Sequence, residues 1–172
     1  DDAASSFQRL QLKGLNCGPT SCVAHGRAVV RFECPAARIV ELDELDSTAR
    51  VPLVSQGVRQ FLEELCPNDV AFVDTTIGAA DGPVETPFYY LVALRSLPCT
   101  DREGSDYTLI PRTDELMGFA RLVLVHDCLQ GHHVVRDQLY SSNLIVSDTL
   151  RNLAVERGLE LGMFTPENVY ER

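Results

Sequence analysis

Residues 145–166, IVSDTLRNLAVERGLELGMFTP, decide the fold because an earlier stretch of the chain repeats their pattern. Residues 53–74, LVSQGVRQFLEELCPNDVAFVD, align with them 92 positions earlier, so that Ser55 corresponds to Ser147 and Phe72 to Phe164. Each copy has a short apolar lead-in, a serine, an amphipathic segment and a strand-like return. The repetition predicts a strand–helix–strand packing unit that occurs twice.

The helix of each unit is the clearest local prediction. Ser55 and Ser147 are good N-cap residues, because a serine hydroxyl accepts a hydrogen bond from a free amide of the first helical turn. Four apolar side chains follow Ser55 at the spacing of one helix face, and Pro67 ends the helix. Gly158 is a natural C′ residue for the second helix, because glycine readily adopts the left-handed conformation that follows a helix. The apolar positions of the first helix are Val58, Phe61, Leu62 and Leu65.

Between and around the helices, short apolar runs bounded by turn residues predict strands. Residues 88–94, FYYLVAL, are typical of a central strand, and residues 78–87, with two prolines and two glycines, are typical of a loop. Further segments are interpreted as strands at Arg27–Cys34 and Arg38–Leu42, as a helical turn at Asp114–Phe119, and as a closing strand at Leu161–Thr165.

Isolated helices between more numerous strands indicate an α+β fold with a mainly antiparallel sheet. We expect one domain over residues 27–172, preceded by a mostly irregular N-terminal arm at residues 1–26. At 172 residues and 45% hydrophobic the chain can form a sizeable core. Its apolar runs are too short to cross a membrane, and no secretion signal is visible.

The net charge is −10, which disfavours direct binding to nucleic acid and favours a cationic partner. Two short segments are rich in acidic residues. One is ELDELD, residues 41–46, and the other is DREGSD, residues 101–106. Such clusters are often only solvated turns. If a basic partner exists, ELDELD is among the first places where it would bind.

Six cysteines, at positions 17, 22, 34, 66, 99 and 128, allow a disulfide framework. Most of them lie within apolar segments, so buried free thiols are the better interpretation. Cys17 and Cys22 could pair or bind metal, although their spacing matches no common zinc site.

Evidence for an enzyme is weak. His126, Cys128, His132 and His133 form the one cluster that resembles a metal site, and a small metal-assisted hydrolase using the His126–His133 region is the alternative function. The ligand spacing fits no standard pattern, and no nucleophile motif or phosphate-binding loop occurs. We therefore expect no catalytic residues, no metal and no cofactor.

Residues 53–168 resemble a family of bacterial immunity proteins. The resemblance lies in the tyrosine-rich strand followed by the Asp101–Ser105 turn, in Gly131 followed by Val134-Val135-Arg136, and in the ending LIVSDTLRNLAVERGLELGMFTP. It implies a cytoplasmic antitoxin without enzymatic activity that protects a bacterium from a secreted toxin, often a type VI secretion effector with a DNase domain. A subunit of another secretion-related assembly is a third possibility.

For an antitoxin against a nuclease, the acidic loops become candidate contacts, because carboxylates can compete with phosphates for a basic groove. The candidate toxin-binding residues, chosen for their charge and loop position, are Glu41, Asp43, Glu44, Asp46, Asp101, Glu103 and Asp106.

Overall fold

The computed structural model describes residues 28–45, 51–113, 116–162 and 169–171 of the chain. The three helices in these ranges are α1 (Ala36–Ile39), α2 (Gln56–Leu65) and α3 (Asp148–Glu156). The strands there are β1 (Ala28–Arg31), β2 (Glu44–Leu45), β3 (Leu53–Ser55), β4 (Val70–Ala79), β5 (Gly82–Ala93), β6 (Ser96–Leu97), β7 (Asp106–Leu109), β8 (Leu116–Leu124), β9 (Val134–Asp137), β10 (Leu144–Val146) and β11 (Val169–Glu171).

The largest sheet has the strand order β1-β4-β5-β3-β2. Two smaller sheets have the orders β10-β9-β6 and β11-β8-β7. Within the described ranges, β1–β4, β6–β9 and β8–β11 pair in parallel, and the other five pairs are antiparallel. The predicted α+β fold with a mainly antiparallel sheet is confirmed.

The central strand is β5, and its apolar run follows from burial on both faces. Tyr89 and Leu91 contact one hydrophobic cluster, which includes both α2 and α3. Phe88, Tyr90 and Val92 contact the cluster on the opposite face of the sheet. Because successive side chains of a strand point to opposite faces, a strand covered on both sides shows no polar alternation. The prediction of a central strand here is confirmed.

The predicted loop at residues 78–87 is wrong. β4 and β5 stay paired up to Ala79 and Gly82, which leaves a two-residue turn of Ala80 and Asp81. β3 covers only Phe88–Tyr90 of β5, so the first half of β5 has no strand on that side among the described residues. An open edge tolerates Pro83 and Pro87, since neither needs to donate a hydrogen bond there.

Both repeated units form their lead-in strand and helix as predicted. The Ser55 hydroxyl accepts from the Val58 amide, and the Ser147 hydroxyl accepts from the Leu150 amide, 3.4 and 3.1 Å away. The two helices pack in the same core cluster. Gly158 has φ of 71°, the left-handed conformation expected beyond a helix end. Of the predicted closing strand, residues 163–165 lie outside the described ranges, and Leu161 and Gly162 are not in a strand.

Two other local predictions need correction. Arg38–Leu42 is not a strand, because Ala36–Ile39 forms α1 with Pro35 as its N-cap, and the Ala36 amide donates to Asp81 Oδ1 at 2.8 Å. Residues 114 and 115 lie outside the described ranges, but residues 116–119 belong to β8 and not to a helical turn. Edge-to-face contacts of Phe119 with Tyr107 and with Tyr140 favour the strand there. The predicted arm at residues 1–26 also lies outside the described residues.

Candidate binding surface

The first acidic loop divides into exposed and structurally engaged residues. Glu41 is exposed and lies between two exposed apolar side chains, Val40 and Leu42. The Asp43 carboxylate instead connects two parts of the fold, because Oδ1 accepts from the Ser55 hydroxyl at 3.2 Å and Oδ2 accepts from the Glu160 amide at 3.0 Å. The Asp43 side chain therefore stabilises the fold, and both of its oxygens already accept hydrogen bonds within the chain.

The end of this loop contributes less to the surface. Glu44 pairs with Val54 as part of β2 and is half-buried, and the neighbouring Leu45 is buried. Asp46 lies outside the described residues.

The second acidic loop is held in a fixed conformation by Asp101. Its Oδ1 accepts from the amides of Glu103 and Gly104, at 3.0 and 3.1 Å. A Cβ atom at Gly104 would lie 2.9 Å from Asp101 Oδ2, so a larger residue there would displace the carboxylate that holds the loop. Glu103 and Asp106 are exposed, and the loop presents them from a fixed backbone.

The same loop is fastened to β8 through Ser105. The buried Ser105 hydroxyl accepts from the Val123 amide at 2.9 Å and lies 3.3 Å from the Val123 carbonyl oxygen, to which it donates. The two acidic loops belong to different sheets: residues 44–45 form β2, and Asp106 begins β7. Of the seven candidate residues, those that the described ranges show as exposed are Glu41, Glu103 and Asp106.

Two histidines of the cluster that resembles a metal site, His132 and His133, are hydrogen-bonded to separate partners. His132 Nδ1 lies 2.6 Å from Asp69 Oδ1, whereas His133 Nδ1 lies 2.7 Å from the Ser147 hydroxyl. His126 is exposed on the loop after β8. Across the described ranges, no three His, Cys, Asp or Glu side chains are grouped in a way that could bind a metal ion.

These contacts do not form a catalytic triad. A triad needs one imidazole that binds the serine through one nitrogen and the carboxylate through the other. Here the carboxylate of Asp69 binds the imidazole of His132, and the hydroxyl of Ser147 binds that of His133. Ser147 is also engaged as the N-cap of α3. The arrangement connects elements of the fold, and in the contacts of the described residues no carboxylate is bonded to the His133 imidazole beside Ser147.

Asp69, which the sequence did not single out, is the centre of this connection. It is 5% exposed and accepts from His132 Nδ1, from the His133 amide at 2.6 Å and from the Val134 amide at 3.4 Å. Burial opposes the charged form, but these hydrogen bonds outweigh it and hold the pKa of the Asp69 carboxyl below its usual range. The residue joins the end of the first unit to β9, which leads into the second.

The cysteine prediction can be checked for the four residues that are described, all of which are free thiols. Cys66 and Cys99 are buried, while Cys34 and Cys128 are partly exposed. Burial raises the pKa of Cys66 to about 12 and raises the pKa of Cys99 further above its usual range. Cys17 and Cys22 lie outside the described residues, so their pairing stays a prediction.

A surface feature that the sequence analysis missed is apolar. Leu109, Ile110 and Met117, at the tip of the β7–β8 hairpin, are 41%, 37% and 55% exposed. Leu109 pairs with Leu116, so Met117 is the next residue on the neighbouring strand. The sequence analysis had placed Met117 in a helical turn, and that interpretation does not predict its exposure.

The structure is that of a small α+β protein that exposes acidic and apolar residues, some of them on loops held by internal hydrogen bonds. The chain matches the model of an immunity protein family (Imm11) over residues 25–165, and it belongs to that family. No curated protein matches it. Among the residues that the structure describes, no helix has the length and apolar character that crossing a bilayer requires. The resemblance to an immunity protein family is thereby confirmed.

Proposed function

We propose that this protein binds and neutralises a cognate nuclease toxin, of the kind delivered by a type VI secretion system. It acts by binding and has no catalytic residues. Membership of an immunity protein family supports a toxin as the partner. The single observation that carries the choice of a basic nuclease is the display of Glu41, Glu103 and Asp106 on loops fastened by internal hydrogen bonds, in a chain of net charge −10.

The mechanism we propose is electrostatic capture followed by occlusion. The exposed carboxylates attract the basic groove in which the toxin holds nucleic-acid phosphates, and complementary charge accelerates the encounter. Apolar neighbours such as Val40 and Leu42 then exclude water from the contact. Neutralising a nuclease before it reaches nucleic acid places the protein in the cytoplasm of the protected cell. We assign this role to residues 27–172, with residues 1–26 as an arm outside the domain.

The roles of the seven candidate residues differ in this proposal. Glu41, Glu103 and Asp106 contact the toxin directly. Asp43 and Asp101 position their loops, because their carboxylates already accept hydrogen bonds within the fold. Glu44 and Asp46 are further contacts at the end of the first loop.

The test compares two triple variants that remove the same amount of charge. The first is Glu41→Gln, Glu103→Gln and Asp106→Asn, and the control is Asp74→Asn, Glu85→Gln and Glu156→Gln, which are exposed carboxylates elsewhere. The probe is an inactivated toxin domain from the gene that adjoins the gene of this protein. We expect the first variant to associate about tenfold more slowly at low salt and to show a weaker salt dependence, whereas the control changes by less than about twofold.

A second measurement asks whether the protein rescues cells that express the active toxin. Rescue by the wild-type protein together with tight binding supports the immunity role. Absence of both would overturn the proposed function. Binding with equal association rates for both variants would keep a toxin partner but overturn the role of the three carboxylates.

A further inference from the structure

We propose that Cys99 and Cys128 form a thiol–disulfide exchange site, at which a small disulfide such as oxidised glutathione converts the two thiols into a reversible cross-link. This inference does not depend on the proposed function. Both cysteines are free thiols in the structure, and Cys128 packs against the hydrophobic cluster that contains Cys99. Cys99 Sγ donates to the Cys128 carbonyl oxygen at 3.8 Å, although the two residues are 29 positions apart.

The backbone brings the two cysteines together. The Val125 amide donates to the Cys99 carbonyl oxygen at 2.8 Å, next to the antiparallel bridge between Thr100 and Leu124. The Cys128 amide in turn donates to the Val125 carbonyl oxygen at 3.2 Å, which closes a four-residue turn directly after the bridge. This turn carries Cys128 back toward Cys99.

The two side chains also interact with each other. Burial is the main cause that raises the pKa of the Cys99 thiol, and a hydrogen bond with the Cys128 side chain raises that pKa further. For Cys66, another buried thiol, the neighbour that adds to the effect of burial is the Asp69 carboxylate and not a sulfur. Cys99 therefore has what a cross-link requires, a second thiol beside it.

The different exposure of the two thiols sets the order of the reaction. Cys128 is partly exposed, so a small disulfide reaches it first. Cys99 is fully buried, and Asp137 Oδ1 fixes its backbone by accepting from the amides of Cys99 and Thr100 at 3.2 and 3.3 Å. Burial protects Cys99 from an external reagent, but a reactive sulfur held on its neighbour is present at a high effective concentration.

The exchange conserves electrons and protons. The Cys128 thiolate attacks one sulfur of the small disulfide, the sulfur–sulfur bond of that reagent breaks, and the released half takes up a proton and becomes a thiol. Cys99 then loses its proton and attacks Cys128 Sγ, which forms the new bond and releases the second half as a thiol. Two cysteine thiols are thereby oxidised, and one small disulfide is reduced to two thiols. An excess of a reduced thiol reverses both steps.

The cross-link fastens the base of the second acidic loop. Cys99 lies two residues before Asp101, and Cys128 lies in the loop after β8. In a reducing cytoplasm the pair stays as two thiols, and it is oxidised when the pool of small disulfides rises. The oxidised protein should resist unfolding, because a cross-link restricts the unfolded chain.

The main experiment exposes the folded protein to oxidised glutathione and maps the products by peptide mass spectrometry without a reductant. We expect wild type to give a peptide pair joined through Cys99 and Cys128. Cys99→Ala should stop at a glutathione adduct on Cys128, Cys128→Ser should leave Cys99 unmodified, and the matched control Cys34→Ser should still form the cross-link. The inference is wrong if Cys128 of wild type does not react, keeps its adduct, or pairs with another cysteine.

The rate of cross-linking separates exchange in the folded protein from exchange after unfolding. If global unfolding were required, Ser55→Ala would react about fivefold faster, because the loss of a helix cap raises the unfolded fraction by about that factor. Exchange within the folded protein should instead proceed at the same rate in Ser55→Ala and in wild type. A rate that follows the unfolded fraction would overturn the inference.

Thermal unfolding gives an independent measurement. Oxidised wild type should unfold at a temperature roughly 5 to 15 °C above that of the reduced protein, and dithiothreitol should reverse the shift. Cys128→Ser should show no shift after the same treatment. If Cys99→Ala does not fold, Cys128→Ser still provides the comparison, because it is changed at a partly exposed position. A cross-linked protein that unfolds at an equal or lower temperature would contradict the inference, since the bond would then distort the fold.

Discussion

Substitution of Asp69, a residue outside the acidic loops, should strongly destabilise the protein. The carboxylate is 5% exposed and accepts hydrogen bonds from His132 and from the amides of His133 and Val134. In Asp69→Ala these donors lose their acceptor. The His132 imidazole is partly exposed and can bond to water instead, but the His133 amide has no such replacement close by in the described contacts.

The magnitude follows from the number of donors. A buried donor left without a partner costs about 1 to 3 kcal/mol, and a charge-assisted hydrogen bond contributes about 1.5 to 3 kcal/mol. We therefore expect Asp69→Ala to lower the free energy of unfolding by about 3 kcal/mol. At about 2 to 4 °C per kcal/mol for a chain of this size, the unfolding temperature should fall by roughly 6 to 12 °C.

Asp69→Asn separates charge from hydrogen bonding. The Asn oxygen can still accept from the His133 amide, and its NH₂ group can donate to His132 Nδ1 when that nitrogen carries no proton. This variant loses only the charge assistance, so we expect a loss of about 1 kcal/mol. The matched control is Asp74→Ala, an exposed aspartate in β4, for which the expected change is below about 0.5 kcal/mol.

The pH dependence has a defined sign. The pKa of Asp69 is lowered on folding, so its charge stabilises the protein above the unfolded value of about 3.9. That contribution is lost as the pH falls through the folded pKa. Below about pH 5, the advantage of wild type over Asp69→Asn in urea unfolding should therefore shrink as the pH falls. An advantage that grows in this acid range, or an alanine variant as stable as wild type, would refute the reasoning.

Three further outcomes are expected. Cys66 and Cys99 should resist a thiol reagent at pH 8 until the protein unfolds. Burial raises the pKa of both thiols, to about 12 for Cys66, and so disfavours the reactive thiolate. Peptide mass spectrometry of the labelled protein would detect any earlier reaction. Ser55→Ala and Ser147→Ala should each lower the free energy of unfolding by about 1 to 2 kcal/mol in urea titrations, since both hydroxyls cap a helix. A loss confined to one of the two variants would contradict the equivalence of the two units. Asp137→Ala should lower the free energy of unfolding by at least about 3 kcal/mol, measured in the same way, because this fully buried carboxylate accepts four hydrogen bonds. A decrease below about 1 kcal/mol would be inconsistent with that role.

The parts of the fold that local chemistry determines could be predicted from the sequence. Ser55 and Ser147 marked the helix starts, and the apolar spacing after them marked the buried faces, because both signals act within one helical turn. The central strand was equally clear. The glycines and prolines of residues 78–87 indicated a break between strands, but the length of β4 and β5 could not be predicted, since it depends on pairing between the strands.

The parts that long-range contacts determine could not be predicted. Ala36–Ile39 is helical partly because Asp81, far along the chain, bonds to its first amide. The exposure of Met117 results from its place next to the end of an edge strand, which no local pattern encodes. The candidate site was predicted from the charge of its carboxylates alone. In the structure some of these carboxylates face solvent, and others hold loops in place through hydrogen bonds.

That division follows from what a carboxylate can do. Asp43, Asp69, Asp101 and Asp137 each accept at least one backbone amide from a distant element or from their own loop, and in this role the negative charge stabilises the fold. The net charge of −10 therefore overstates the charge available to a partner. A variant that neutralises one of these four would weaken binding because the loops around it lose their hydrogen bonds. In an assay that measures affinity alone, its effect could not be told from that of replacing a contact residue. Only carboxylates without such a backbone role, Glu41, Glu103 and Asp106 among the predicted set, can reveal by their substitution whether this surface meets a basic toxin.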